Sequence, residues 1–531
     1  MINPILRGFN ADPSICRKGE DFYIATSTFE WFPGVQIYHS KDLVNWKLVK
    51  RPLERVSQLD MKGNPNSCGI WAPCLSYSDN KFWLIYTDVK SFDGYAKDSH
   101  NYLVTCDTID GEWSEPIYIN SSGFDPSLFH DDDGKKYFIN MLWDHRGYNY
   151  AHNNFAGIVL QEYDPVQKKL VGECKNIYLG TKIKLTEGPH LYKRNGYYYL
   201  LTAEGGTKYE HSVTIARSKN ILGPYELHPE NPILTAVHNP ENYLQKSGHA
   251  SMVPYNDEKW FMAHLTGRPL TERGDCPLGR ETALQEIYWE NDWPYVVNGK
   301  LPSKSIKSLE NIEQDLDNSQ FDNFDSEVLD NRYQALRIPL NNEILSLTDR
   351  KGYLRLYGRE SLKSYHTQSL VARRWQHFKF NVTTCLEFRP DTFQQMAGLV
   401  HYYNTKNWYY LFVTYNEEIN KRTIEVVSSI NEKIKFHTMG ANISIPESIE
   451  KIYLNSKVNY NKVEFYYSFD NKNWQKIGPV FESRILSDDY IAENSNDGFF
   501  TGAFVGMNCQ DLSGRRCPAD FDFFNYEEIH A

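Results

Sequence analysis

The 531-residue sequence has no stretch approaching the roughly 18 consecutive apolar residues that cross a bilayer. A membrane is therefore not expected as a partner. A surplus of positive charge is also missing: 57 Lys and Arg stand against 68 Asp and Glu, a formal net charge of −11. Nucleic acids and anionic membranes are bound through a basic face, so this balance argues against both and leaves a neutral ligand open. The nine cysteines include no Cys-x-x-Cys pair, and an odd, scattered set reads as mostly buried, reduced thiols in a reducing compartment. Upstream of Asp12 no basic region leads into an apolar run. No signal peptide is predicted, and a cytoplasmic location is.

Long helical periodicity is scarce too. What the chain has instead is aromatics, 15% of its residues. They fall in short runs rich in Tyr, Phe, Ile and Val, punctuated by Gly, Asp and Asn, an all-β pattern. Flat rings serve β cores and sugar-binding faces alike, so composition does not separate the two uses. The length implies roughly two to four domains.

Over about the first 300 residues the runs repeat. The frames are Asp12-Pro13-Ser14, Trp71-Ala72-Pro73, Asp125-Pro126-Ser127, Glu187-Gly188-Pro189 and Gly248-His249-Ala250, each followed by an aromatic-rich run. Leads at 12, 71, 125, 187 and 249 are spaced by 59, 54, 62 and 62 residues. Five units of about 60 residues predict a five-bladed β-propeller over 1–302. The polar, acidic stretch 303–323 reads as a linker or covering segment. The strand-rich remainder, 324–531, lacks the period and predicts a jelly-roll-like β-sandwich.

In a propeller the first strand of each blade lines the axial channel, so Asp12, Trp71, Asp125, Glu187 and His249 are expected to face one cavity. A lone Asp-Pro more often caps a turn. A lone tryptophan is more often core, and a lone histidine is as often structural. Equivalent positions in a repeat favour a grafted site instead. Three converging carboxylates suit glycoside hydrolysis, which needs one carboxyl protonated and one ionised; mutual repulsion helps keep one protonated. This chemistry requires no metal or other cofactor. Asp322, Asp325, Asp330 and Asp522 could offer carboxylates to a structural Ca²⁺, with solvated strand ends as the alternative, and His249 could hold an ion or a water.

At these residues the sequence resembles glycoside hydrolase family 43, specifically its two-domain β-xylosidases. The matching stretches include Gly8–Ser14, Ala25–Val35, Trp71–Pro73, Phe124–Ser127, Thr186–His190, His264–Pro269 and Leu278–Thr282, with Thr501–Gly506 and Ala519–Asp522 in the second domain. The resemblance implies Asp12 as general base, Glu187 as general acid, and Asp125 as the carboxylate that orients the acid and raises its pKa. It implies Arg280 as a ligand of the xylose hydroxyls, Phe29 and Trp71 as aromatic walls, His249 as the axial histidine, and Phe504 as a second-domain residue at the pocket. It further implies an inverting, exo-acting enzyme that releases one xylose at a time from β-1,4-xylo-oligosaccharides, and a cytoplasmic homo-oligomer, dimer or tetramer. The nearest rival is α-L-arabinofuranosidase or dual activity, since the two sugars present similar hydroxyls to a small pocket. A fructan hydrolase is disfavoured because Phe124 precedes Asp125-Pro126 and Gly188 follows Glu187. A non-catalytic sugar-binding propeller would not need Asp12 together with Glu187.

Overall fold

The period of about 60 residues corresponds to five antiparallel sheets in the computed structural model, which describes every residue except 1, 93–94, 147–153, 316–319, 439–442 and 531. The first sheet runs Ala11–Lys18, Asp21–Ser27, Gln36–Ser40 and Lys47–Lys50 from axis to rim. The other four start at the axis with Gly69–Ser78, Gly123–His130, Glu187–Arg194 and Gln245–Pro254. Successive inner strands pack side by side around the axis, and the fifth packs on the first. This is the five-bladed propeller predicted from the repeat.

The repeated frame has a structural cause. Each inner strand carries a bulge where its frame begins, with register shifts at Ala11/Ser14, Trp71/Cys74, Phe124/Ser127, Glu187/His190 and Gly248/Ala250. In the first four frames proline sits in the unpaired part of the bulge, where its missing N–H costs the ladder nothing. Where a serine follows the bulge, in the first, third and fifth blades, it ties neighbouring blades. Ser14 Oγ accepts from Leu75 N–H (3.0 Å), Ser127 Oγ donates to Pro189 O (2.6 Å), and Ser251 Oγ donates to Pro13 O (2.8 Å), which helps close the ring.

The N-terminal segment also closes the ring, through Leu6 paired with Thr282 and Asn3 N–H bonded to Lys304 O (2.8 Å). The stretch read as a linker or covering segment packs on both domains. Its 3₁₀ turn Lys307–Leu309 places Leu309, with Ile306 before it, in the core shared by the first and fifth blades. Its end belongs to the sandwich, because Gln320–Asp322 pairs with Phe524–Tyr526. Residues 316–319 of that stretch lie outside the described residues.

The sandwich stacks an eight-stranded sheet on a six-stranded one. The six-stranded sheet is covered on both faces, which explains its continuous apolar runs. Along Asn407–Asn416, Tyr409, Leu411 and Val413 face the core between the two sheets, whereas Trp408, Tyr410 and Phe412 face a second core shared with the propeller. Each large side chain buried this way contributes about 1.5–3 kcal/mol. Propeller strand Trp31–Phe32 also pairs with Ala335–Leu336, so a backbone ladder crosses the seam. Among the described residues no helix is long and apolar enough to cross a membrane.

Candidate active site

Asp12, Asp125 and His249 occupy the same place in their blades. Each is the left-handed residue of its bulge, with φ of 54°, 54° and 41°. Non-glycine residues rarely hold this conformation, and strained residues cluster at functional sites. In the second and fourth blades the left-handed residues are Ala72 (φ 32°) and Gly188 (φ 58°). The expected equivalence of all five leads is therefore corrected: Trp71 and Glu187 precede the bulge residue by one position. They still reach the same cavity.

That cavity has a volume of about 240 Å³. Asp12, Asp125, Glu187, His249 and Arg280 line its polar side, and Phe29 and Trp71 its aromatic wall. Asp12 Oδ2 accepts from Ser27 Oγ (2.6 Å), whose oxygen in turn accepts from Ala72 N–H (2.8 Å). Arg280 Nη1 donates to Asp12 Oδ1 (3.2 Å) and to Thr207 Oγ1 (3.1 Å). Asp125 Oδ2 accepts from Gly188 N–H (3.0 Å), so it fixes the peptide beside Glu187. His249 Nδ1 lies 3.9 Å from both Asp12 Oδ1 and Asp125 Oδ2.

These surroundings separate the carboxylates. Burial works to raise Asp12, yet Arg280, His249 and the Ser27 hydrogen bond hold it below the ordinary carboxylate value. Burial and the Asp12 charge push Glu187 up to about 8. Burial, with Glu187 and Asp12 nearby, drives Asp125 well up. Burial lowers His249 despite the pull of Asp12. Near neutral pH the cavity therefore holds an ionised Asp12 facing a protonated Glu187, the pair of protonation states that acid–base hydrolysis needs.

Phe504 is not at the cavity. It is fully buried on the propeller-facing side of strand Phe504–Asp511 and stacks on Trp31, with ring centroids 3.6 Å apart. Phe500 is the sandwich residue that lines the cavity. Its ring packs on Phe29 (5.9 Å) and edge-on to Trp71 (5.3 Å), and its carbonyl accepts from Arg280 Nη2 (2.7 Å). Ser67 aligns both walls, since its carbonyl accepts from Trp71 Nε1 (2.8 Å) and its Oγ accepts from Phe500 N–H (3.2 Å).

Phe500 belongs to the excursion 483–503, between strands Gln475–Glu482 and Phe504–Asp511. Its end runs against the Leu278–Thr282 stretch, backbone on backbone. A Cβ on Gly279 (φ 72°) would lie 2.3 Å from Thr501 O, and one on Gly502 would lie 3.0 Å from the Gly279 Cα.

The lining also includes Lys97, Phe124, Trp143, Phe155, Thr207 and His211, which the sequence did not single out. Phe124 stood inside a quoted stretch, and the Gly205-Gly206 pair marks the turn that delivers Thr207. Lys97, whose Nζ sits 4.5 Å over the Trp143 ring, carried no signal. The four aspartates considered for Ca²⁺ do not converge. Asp322 caps Phe324 N–H (2.9 Å), Asp325 bonds Asn323, Asp330 pairs with Arg332 (2.7 Å) and Asp522 with Lys451 (2.7 Å). Among the described residues no three His, Cys, Asp or Glu side chains form a metal-holding group.

Comparison with known proteins matches residues 1–294 to glycosyl hydrolases family 43, and residues 321–527 to the beta xylosidase C-terminal Concanavalin A-like domain. A beta-xylosidase of Bacillus subtilis (strain 168) is 58% identical, covering 99% of both chains. Xylosidase/arabinosidase 43B of Humicola insolens is 50% identical over 99% of this chain and 97% of its own. The crystal structure of a xylan beta-1,4-xylosidase from Bacillus halodurans C-125 superposes with a TM-score of 0.95 at 50% identity, covering 99% of this chain and 100% of that one. With its propeller, its sandwich and its carboxylate cavity all accounted for, the chain belongs to glycosyl hydrolases family 43.

Proposed function

We propose that the protein is an inverting exo-β-xylosidase that releases xylose from the non-reducing end of β-1,4-xylo-oligosaccharides. The observation that carries this reading is the convergence of Asp12, Asp125 and Glu187 on one small cavity, where Arg280 and Ser27 hold Asp12 low and burial pushes Glu187 up. Asp12 takes a proton from the water that attacks the anomeric carbon. Glu187 gives its proton to the departing glycosidic oxygen, and Asp125 steadies the peptide beside it through Gly188 N–H. Arg280 and Thr207 meet the sugar hydroxyls, and Phe29, Trp71 and Phe500 cover the ring's apolar faces. The names of the relatives from Bacillus subtilis and Bacillus halodurans support the substrate.

The test is proton NMR during the first minutes of xylobiose hydrolysis. α-Xylose as the first product is expected, and initial β-xylose would make Asp12 a nucleophile. The Humicola insolens relative, named for both activities, favours α-L-arabinofuranosidase as a second reading. Comparing 4-nitrophenyl β-xyloside with the α-arabinofuranoside sets the ratio. Cytoplasmic action as a homo-oligomer belongs to the same proposal. It is supported by nine free cysteines and by the resemblance, and it is tested by cell fractionation and light scattering.

A further inference from the structure

Arg280 is held from both domains. Its Nη1 serves Asp12 and Thr207 of the propeller, and its Nη2 serves the Phe500 carbonyl of the sandwich. Its Nε is buried without a hydrogen-bond partner and forms an ion pair, 3.9 Å long, with Asp488 Oδ2. Asp488 is itself 5% exposed and begins the helix Asp488–Asn494 on the excursion 483–503. It has little freedom to drift. Tyr403 Oη donates to Asp488 Oδ1 (2.5 Å). The next residue, Asp489, pairs with Lys246 (2.5 Å) and accepts from Cys276 N–H (2.9 Å). One turn earlier, Arg484 pairs with Asp275 of the propeller (3.2 Å). Four groups thus surround the Asp488 carboxylate: Arg280, Lys246, Asp489 and Tyr403.

We infer that Asp488 is a positioning residue, a carboxylate lent by the sandwich that shares Arg280 with Asp12 and keeps the guanidinium from closing onto the base. The inference rests on the hydrolase reading. A guanidinium beside a single carboxylate turns to grip it with both edges, and in a dry site that attraction is several times stronger than in water. Gripped in that way, Asp12 is a weaker base and Arg280 offers fewer donors to the sugar. With Asp488 present the guanidinium is pulled from two sides and stays open toward the cavity.

Asp488→Asn keeps the shape of the side chain and its acceptor for Tyr403. We expect kcat/KM to fall at least ~10-fold with kcat taking most of the loss, because the base is weakened. Burial pushes Asp488 itself up to about 7, so it carries its charge over the alkaline limb of the pH profile and not over the acid limb. In Asp488→Asn the alkaline limb should move to lower pH and the acid limb should stay. Asp488→Glu restores the charge and should restore the position of the profile. Asp489→Asn, which loosens Lys246 instead, should lower Tm and leave the profile in place. The inference is overturned if Asp488→Asn lowers Tm with an unmoved profile, if it behaves as wild type, or if Asp489→Asn moves the profile equally. Failure of the hydrolase reading looks different: the wild-type protein itself releases no xylose, or Asp12→Ala retains full activity.

Discussion

On the propeller side of the cavity, Asp12, Asp125 and His249 sit in one left-handed bulge repeated from blade to blade. On the sandwich side, Phe500 and Asp488 arrive on a single excursion pinned at both ends against the propeller. The first wall is built by repetition. Its side chains are placed by local backbone geometry and by serines that stitch adjacent strands. The second wall is built by docking, and Ser67, distant in the chain, meets Phe500 only when the domains are assembled. Loss of a side chain from the first wall should therefore strike chemistry. Loss of a ring from the second should strike binding or assembly, according to which way it faces, while Asp488 reaches the chemistry only through Arg280.

The sharpest break in that contrast would come from Asp12. Asp12→Ala should lose ~10²–10⁴-fold or more in kcat with Tm unchanged, and a near-wild-type kcat would sink the base assignment. Glu187→Ala comes next and should depend on the leaving group. The loss on xylobiose should far exceed that on the nitrophenyl xyloside, whose phenolate departs without help; equal losses would argue against Glu187 as the acid. On the docked wall, Phe500→Ala should lower kcat/KM ~10-fold at little change in Tm, because it strips one face of the sugar site. Phe504→Ala should do the reverse, costing about 3–5 kcal/mol of stability while the folded fraction turns over normally. Exchanged outcomes for these two variants would put Phe504 at the sugar after all. The smallest effect is a titration. Activity should rise as Asp12 ionises through its lowered pKa and fall as Glu187 loses its proton near pH 8. Glu187→Gln should abolish the falling limb on the nitrophenyl substrate.

The same contrast decides what could be read from the sequence. The blades were legible because Asp12-Pro13-Ser14 and its counterparts recur with their spacing. In the second and fourth blades the chemically conspicuous residues, Trp71 and Glu187, stand one position before the left-handed residue, so the lead positions are off by one there. Pro73 and Pro189 mark the register, and aligning on them puts Ala72 and Gly188 level with Asp12. Phe500 was missed for a different reason. Phe499, Phe500 and Phe504 are all aromatic within one short stretch, and which ring reaches the sugar depends on strand pleating and on the Trp31 surface across the seam. Asp488 likewise carries no local mark, since its importance comes from Arg280, a residue of the other domain.

The contact between Gly279 and Gly502 bears on how such enzymes could be recombined. Two backbones touch there without side chains, so a methyl on one side cannot be offset by trimming the other. A chimera joining this propeller to a foreign sandwich would work only if both partners brought glycine to that point. A single added carbon would push the two loop segments apart and carry Arg280, the next residue along, away from the sugar. The seam thus acts as a compatibility check on domain exchange, enforced by two absent side chains.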